Sequence, residues 1–225
     1  MTHVVHPYAQ RIGILRGWKS RWFTRDRAKY QEFLRADTAV RAFLEKRLRG
    51  MYASTIEIER SNTELRVIIK SSRPGLVIGR SGEGTKKLKD ELKKVIRKEG
   101  IQDDTNLRID VEEIRSPESD AGVVAYMVAE SLEKRLPFRR VLKQTIEKVI
   151  ANRDVDGVRI TISGRLGGAE MSRKEGLKRG QIPLQTLRSD IDFAREKAYL
   201  PYGVIGIKVW INRGEVFEGD DKNQK

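Results

Sequence analysis

Pro74-Gly75-Leu76-Val77-Ile78-Gly79-Arg80-Ser81-Gly82-Glu83-Gly84 is the stretch whose reading decides the fold. It lies between an alternating strand pattern and a basic amphipathic helix pattern. Gly79 and Gly82 enclose two residues, Arg80 and Ser81. Glycines at both ends of such a pair let one backbone approach another with no Cβ in the way. The helix that follows offers unpaired N–H groups and the positive end of its dipole, which suits a phosphate. Arg80 puts a cation at the tip, and Lys86 another early in the helix. Leu76, Val77 and Ile78 would anchor the loop and line a groove for bases. A nucleotide-binding P-loop is the rival. Gly79 and Gly84 do enclose four residues, but Thr85 precedes Lys86, whereas that chemistry needs Lys and then Ser or Thr.

Working outward, Ile56 and Ile58 alternate with Thr55, Glu57 and Glu59, and Ser61-Asn62 supplies a turn. Leu65, Val67 and Ile69 then alternate with Arg66 and Lys70, while Ile68 breaks the polar side, so a hairpin precedes the loop. Leu88, Leu92, Val95 and Ile96 mark one face of a helix over 85–98, with lysines mostly on the other face and Gly100 as its stop. Leu107, Ile109 and Val111 mark a further strand. Upstream, two helices are expected, from about Asp26 to Leu34 and from an N-cap at Asp37 to Gly50. Downstream, Val124, Val128 and Leu132 mark a helix that Pro137 interrupts, and Leu142, Ile146 and Val149 mark another. Val158, Ile160 and Ile162, and later Ile205, Ile207, Val209 and Ile211, alternate as strands. A Gly- and Arg-rich stretch between them reads as two less regular strands.

The 225 residues hold 46 Lys and Arg against 32 Asp and Glu, a net charge of +14. That excess favours a polyanionic partner, nucleic acid first and an anionic membrane second. No run of about 18 apolar residues can span a bilayer, and no apolar segment near Met1 suggests a secretory signal. With no cysteine, disulfides, thiol catalysis and Cys-based zinc sites are excluded, which fits a reducing cytoplasm.

Helix, strand, strand, Val-Ile-Gly-x-x-Gly loop, helix, strand is the order of the type II K-homology (KH) domain, whose loop clamps about four single-stranded nucleotides. Further motifs widen the likeness: Arg11-Ile12-Gly13-Ile14, Trp18-x-Ser20-x-Trp22-Phe23, Ser163-Gly164-Arg165-Leu166-Gly167-Gly168-Ala169-Glu170, Pro183-Leu184-x-Thr186-Leu187-Arg188-x-Asp190-Ile191-Asp192 and Tyr202-Gly203-Val204-Ile205-Gly206-Ile207-Lys208-Val209-Trp210-Ile211. Over about residues 3–215 the chain resembles the bacterial small-subunit ribosomal protein three family. The resemblance implies an α+β protein of two domains, the second being two helices packed on a four-stranded sheet. It implies binding to 16S rRNA in the head of the small subunit, and to mRNA at the entrance of the messenger tunnel. The implied neighbours are ribosomal proteins ten, fourteen, four, five and two. Two departures stand out: Ser81 replaces a second basic residue in the tetrad, and Tyr8-Ala9 stands where the family often has Asn-Gly.

The expected organisation is a basic arm and helix over 1–36, the KH domain over 37–112, a C-terminal α/β domain over 113–213 and a polar, disordered tail over 214–225. The expected RNA contacts are Arg11, Trp18, Arg21 and Trp22 in the arm, Gly79, Arg80, Ser81, Gly82 and Lys86 at the loop, and Arg165, Arg173, Lys178 and Arg179 in the Gly-Arg stretch. Trp18, Trp22 and Phe23 would either stack on bases or plug the small core. Arg139, Arg140 and Lys143 share a helix face; the resemblance makes them the residues that grip messenger RNA, and otherwise they are a solvated basic face. Trp210 would face a partner. His3 and His6, the two histidines, build neither a metal site nor a Ser-His-Asp constellation. No catalytic residues, metal or cofactor are expected. A stand-alone KH regulator of RNA remains the second function class, and a lyase would need a Lys of depressed pKa that nothing places.

Overall fold

The computed structural model describes residues 5–61, 63–98 and 106–217. In chain order the elements are α1 (Pro7–Gln10), β1 (Ser20–Arg21), α2 (Arg27–Arg47), β2 (Ala53–Arg60), β3 (Glu64–Ser71), α3 (Pro74–Ile78), α4 (Glu83–Lys98), β4 (Asn106–Glu113), α5 (Ala121–Glu133), α6 (Phe138–Ile150), β5 (Gly157–Gly164), β6 (Arg173–Gly180), β7 (Ser189–Leu200) and β8 (Gly203–Glu215). The turn residue Asn62, the helix stop Gly100, the histidine His3 and most of the expected tail lie outside the described residues. Trp18–Arg115 form one compact unit, and the segment up to Gly17 forms another with the chain from Ser116 on.

In the first unit the sheet runs β1-β2-β3-β4, with β2 and β3 antiparallel and the outer pairs parallel. One face carries Ile58, Leu65, Val67, Ile69 and Leu107, which pack with Ala36, Val40, Leu44 and Leu48 of α2 and Leu88, Leu92 and Ile96 of α4. These are the positions that the period of two and the period of 3.6 select. Only one helix spans 27–47, where two were expected. Its cap is Asp26, which accepts a hydrogen bond from the Ala28 N–H at 2.9 Å. Asp37 is buried in the middle of α2, where it accepts a hydrogen bond from the Trp22 indole at 2.8 Å and lies 3.6 Å from the Arg60 guanidinium. A carboxylate held by one hydrogen bond and a buried ion pair need not start a helix.

The second unit is the expected pair of helices, α5 and α6, on an antiparallel sheet of order β6-β5-β8-β7. Val124, Val128 and Leu132 of α5 and Val141, Leu142 and Ile146 of α6 cover Val158, Ile160, Ile162, Ile207, Val209 and Ile211. The two strands between β5 and β8 are both present: β6 pairs without a break, and β7, twelve residues long, carries an irregularity between Ser189 and Ile191. β8 continues to Glu215, which pairs with Ser189, so ordered structure extends past the expected tail boundary at 214. The other boundary that moves is the arm. Residues up to Gly17 do not go with α2 but with β7, and α2 crosses the expected division at 36.

Arg11 shows why. It is fully buried and donates to the carbonyls of Ser189 at 2.7 Å, Pro7 at 3.0 Å, Thr186 at 2.9 Å and Leu184 at 3.2 Å. Burial lowers its pKa from the ordinary value, Asp190 opposes this and Arg16 adds to it, yet a guanidinium stays charged. Arg16 donates to Asp190 at 2.6 Å. Arg213 pairs with Asp192 at 3.1 Å, and Asp192 also accepts the Ala121 N–H at the start of α5 at 2.9 Å. The Arg11-Ile12-Gly13 and Pro183-to-Asp192 motifs are thus two sides of one buried polar seam. Replacing Arg11 by Leu strips four carbonyls of their donor, and a loss of about 3 kcal/mol is expected. Hydrogen exchange in the full chain should then speed up at β7 and α1 while β3 keeps its protection.

Candidate nucleic-acid interface

The loop is built by close backbone approach. α3 ends at Gly79 (φ +71), Ser81 sits in the left-handed region at φ 54 and ψ 24, and Gly82 has φ +79. A Cβ on Gly79 would come within 3.0 Å of the Gly84 nitrogen. A Cβ on Gly84 would meet the Val77 and Ile78 carbonyl oxygens at 2.6 and 2.7 Å. Gly84 therefore lets α4 start directly against the end of α3, a role that the tetrad pattern alone does not reveal. Gly82 is different, since a Cβ there meets only the Thr85 hydroxyl at 3.9 Å; its demand is the backbone angle. Arg80, Ser81 and Lys86 are exposed, and so are Leu76 and Ile78 beside them. Beside the start of α4 runs a groove of about 340 Å³ lined by Thr85, Lys86, Lys89, Asn106 and Arg108.

The arm residues separate. Arg11 is a buried strut: each of its three side-chain nitrogens donates to a carbonyl, and none of the side chain reaches the surface. Trp22 is half-buried and packed between Tyr30 and Phe33, with ring centroids at 5.1 and 5.6 Å, and its N–H is spent on Asp37. Trp18 is 66% and Phe23 84% exposed. Arg21 lies on the open face of the first sheet, 3.4 Å from Glu57 and 3.2 Å from Glu59. That face is charged throughout but balanced. Arg66 meets Glu59 and Asp110, Lys70 meets Glu57 and Glu112, and Arg108 meets Asp110. Ile68, the residue out of pattern, is buried among these long side chains.

The Gly-Arg stretch also divides. Arg165 donates to the Ala169 and Tyr202 carbonyls, at 3.0 and 3.1 Å, and ties down its own loop. Leu166, in a stretch that reads as too polar for a core, is buried in that of the second unit. On β6 the pairing alternates: Arg173, Glu175, Leu177 and Arg179 share a face with the buried Ile160 and Ile162, and Lys174 and Lys178 share the other with Ser163 and Arg159. Arg173 approaches the Phe138 ring of α6 at 5.5 Å, and Arg139 lies 3.6 Å from Glu175. Arg139, Arg140 and Lys143, all exposed, line one side of a groove of about 800 Å³ whose other side includes Lys174 and Glu175.

The start of α6 has an unusual charge arrangement. Asp26 and Asp120 cap α2 and α5, and Glu83 stands in the first turn of α4. α6 follows Pro137 with no side-chain cap, no acid in its first turn and two arginines there. Cations at the positive end of a helix dipole are unfavourable; an anion bound there would relieve them. Trp210 does not face a partner: it is 8% exposed, with Phe193 at 5.0 Å and Arg159 at 5.3 Å from its ring. His6 packs edge-on to Phe193. Among the described residues no group of three or more His, Cys, Asp or Glu is placed to hold a metal, and no helix is long and apolar enough to cross a membrane.

Comparison with known proteins bears on both units. The KH domain family profile matches residues 39–119, and that of "Ribosomal protein S3, C-terminal domain" matches residues 128–211. The small ribosomal subunit protein uS3 of Syntrophomonas wolfei is 45% identical over 216 residues, 96% of this chain and 91% of that protein. Its counterparts in Desulfatibacillum aliphaticivorans and Coxiella burnetii are 44% and 43% identical, over 98% and 96% of this chain and 96% and 91% of their own lengths.

Two outcomes test this geometry. Gly84→Ala drives a methyl into two carbonyl oxygens and should destabilise the first unit by about 1–3 kcal/mol. Gly82→Ala should cost only the left-handed angle, about 1 kcal/mol. Hydrogen exchange of the α4 amides in the full chain ranks the two. On the sheet face, burial raises the pKa of Asp110, but hydrogen bonds from Arg66 and Arg108 outweigh it and hold the carboxyl below its ordinary value. A depressed folded-state pKa adds stability that is complete above the ordinary carboxylate pKa, about 3.9, and lost as pH falls below it toward the folded value. The stability gap between the native chain and Asp110→Asn, read from urea midpoints, should therefore narrow on going from neutral to strongly acid solution.

Proposed function

This chain belongs to the uS3 family of small ribosomal subunit proteins, and from that premise we propose that its first unit holds ribosomal RNA while its second guides messenger RNA. As a family member it is a structural constituent of the small subunit and not an enzyme. It associates with the ribosome, where its partners are ribosomal RNA and other ribosomal proteins. The Gly79–Gly82 loop clamps a phosphate backbone of 16S rRNA in the head of the subunit. The Arg139, Arg140 and Lys143 face lines the entrance of the mRNA tunnel in the cytoplasm, and ribosomal proteins ten, fourteen, four, five and two are the neighbours.

The observation that carries the messenger-guiding role is the start of α6, uncapped, free of acids and bearing Arg139 and Arg140. Arg139, Arg140 and Lys143 line the same open groove, where Glu175 accompanies Arg139. Phosphates of a separated strand would satisfy these cations and the helix start and bias a duplex fork toward its open state. No nucleotide hydrolysis is needed, because movement of the messenger through the ribosome supplies the work.

Replacing Arg139, Arg140 and Lys143 together by Ala tests this. Ala is a good helix former, and two arginines leave the unfavourable end of the dipole, so α6 should persist and the subunit assemble. Each lost phosphate contact should lower the salt slope of messenger binding by about one. Purified variant ribosomes should slow on a hairpin messenger more than on an unstructured one. Equal slowing on both, or none, would leave these residues a solvated face. For the loop, Gly79 is fixed by packing, so the variant to make is Arg80→Asp with Ser81→Asp. Asp tolerates the left-handed backbone at 81. Circular dichroism of the full chain should be unchanged while its affinity for 16S rRNA falls about tenfold, the worth of one or two phosphate contacts.

A further inference from the structure

The open face of one sheet is balanced in charge and that of the other is positive. On the first, the cations Arg21, Arg66, Lys70 and Arg108 interleave with Glu57, Glu59, Asp110 and Glu112 in the ion pairs described above. On the second, the strand registers place Lys178 beside Arg159, Arg159 beside Trp210 and Trp210 beside Phe193; one row along lie Gly176, Thr161, Lys208 and Arg195. Three carboxylates of these strands fall on the other face, since Glu175, Asp192 and Glu196 pair with Ile162, Ile211 and Ile207 of the core, while Asp190 and Glu215, where β7 starts and β8 ends, meet Arg16 and Arg188. Arg159, Lys178, Arg195 and Lys208 are all exposed, and among the described residues none of them forms an ion pair.

We propose that the open face of the β6-β5-β8-β7 sheet is a second RNA-binding surface, one that takes the phosphate backbone of double-stranded RNA without reading its sequence. It rests on the reading of the chain as an RNA-binding protein and adds a site to it. Charge complementarity selects the partner: four exposed cations with no acid among them repel one another, and a polyanion removes the repulsion. The shape selects the form of RNA. Adjacent strands are about 4.8 Å apart and same-face residues about 6.8 Å apart along a strand, so the four cations span a patch suited to phosphates on a duplex surface. Unpaired bases would need exposed aromatic platforms. Trp210, at the centre of the face, is instead buried beside Phe193 and Arg159, and Tyr199, an exposed ring on the same face, stands at the end of β7 two rows beyond Arg195, a single platform rather than a run of them. Gly176 on the edge strand β6 and Gly206 on β8 add no side chain to this face. The sequence hides the patch, because Arg159, Lys178, Arg195 and Lys208 come from four separate strands.

The test uses the full chain with Arg159, Lys178, Arg195 and Lys208 all changed to Gln. Its probes are a 20-base-pair RNA duplex and a single-stranded RNA of the same length, each titrated at several salt concentrations. Circular dichroism and thermal melting check the fold, and the Arg159→Lys, Arg195→Lys double variant, which keeps the charge, should bind like the native chain. If each cation meets one phosphate, the magnitude of the salt slope for duplex should drop by about 3 to 4, and duplex affinity in low salt by at least tenfold. Binding of single-stranded RNA, which the Gly79–Gly82 loop would carry, should fall far less. Unchanged duplex binding by the quadruple variant overturns the inference and leaves the loop reading standing, since the Arg80→Asp, Ser81→Asp variant tests that separately. An equal fall for both probes also overturns it, because the patch would then be a general electrostatic field. If the variant binds duplex normally but fails to enter the small subunit, the face serves a protein partner and the inference is likewise wrong.

Discussion

Fourteen excess positive charges are the constraint around which this chain is arranged. A folded chain concentrates charges that the unfolded chain keeps apart, and a low-dielectric interior magnifies every unpaired one. Cations that go inside must therefore be matched. Arg11 is surrounded by four carbonyls, Arg60 lies against Asp37 and over the Phe33 ring at 4.1 Å, and Arg16 meets Asp190. The acids are then placed unevenly over what remains. The open face of the first sheet is balanced within itself. At the start of α6 Arg139 meets Glu175 while Arg140 has no ion pair among the described residues, Arg159, Lys178, Arg195 and Lys208 on the open face of the second sheet have none either, and the loop tip carries Arg80 into solvent. A polyanion is the one partner class that answers all three.

The loop shows how a local motif depends on non-local packing. Glycines at 79 and 82 give the turn its angles, which any tight turn might need. Gly84 is the residue that makes the turn a platform, because only a hydrogen in place of a Cβ lets the first turn of α4 lie against the carbonyls at the end of α3. That contact points Arg80 and Ser81 outward and keeps Leu76 and Ile78 beside them. The same logic appears in the second unit, where Arg11 links α1 to the approach to β7 and holds in place a segment that has too few apolar residues to hold itself.

Much of the fold was legible from 225 letters. The alternation at Ile58, Val67 and Ile69, and at Val158, Ile160 and Ile162, names both sheets. The 3.6-residue spacing at Leu88, Leu92 and Ile96 names α4, and Pro137 marks the join between α5 and α6. These signals are local: backbone geometry imposes the period, and burial of one face selects the residues that follow it. The errors were local signals overruled from a distance. Asp37 has the composition of a helix cap but is buried against Trp22 and Arg60. Leu166 looks isolated among glycines but is core. The arm from the N-terminus to residue 36 looks continuous in composition but belongs to two units.

The cationic residues were the least legible, for a physical reason. A charge carries no period. Arg11 and Arg80 read alike in the sequence, and so do Arg21 and Arg159. Strand register decides that Arg21 meets two glutamates and that Arg159 meets none, and register is set by the hydrophobic residues beside them. The sequence by itself determined the elements, the loop and the sign of the partner's charge, because each follows from near neighbours along the chain. Only the tertiary structure decided which cations are struts, which are neutralised and which face solvent without an acid beside them, because that depends on which acids and carbonyls distant segments bring to each one.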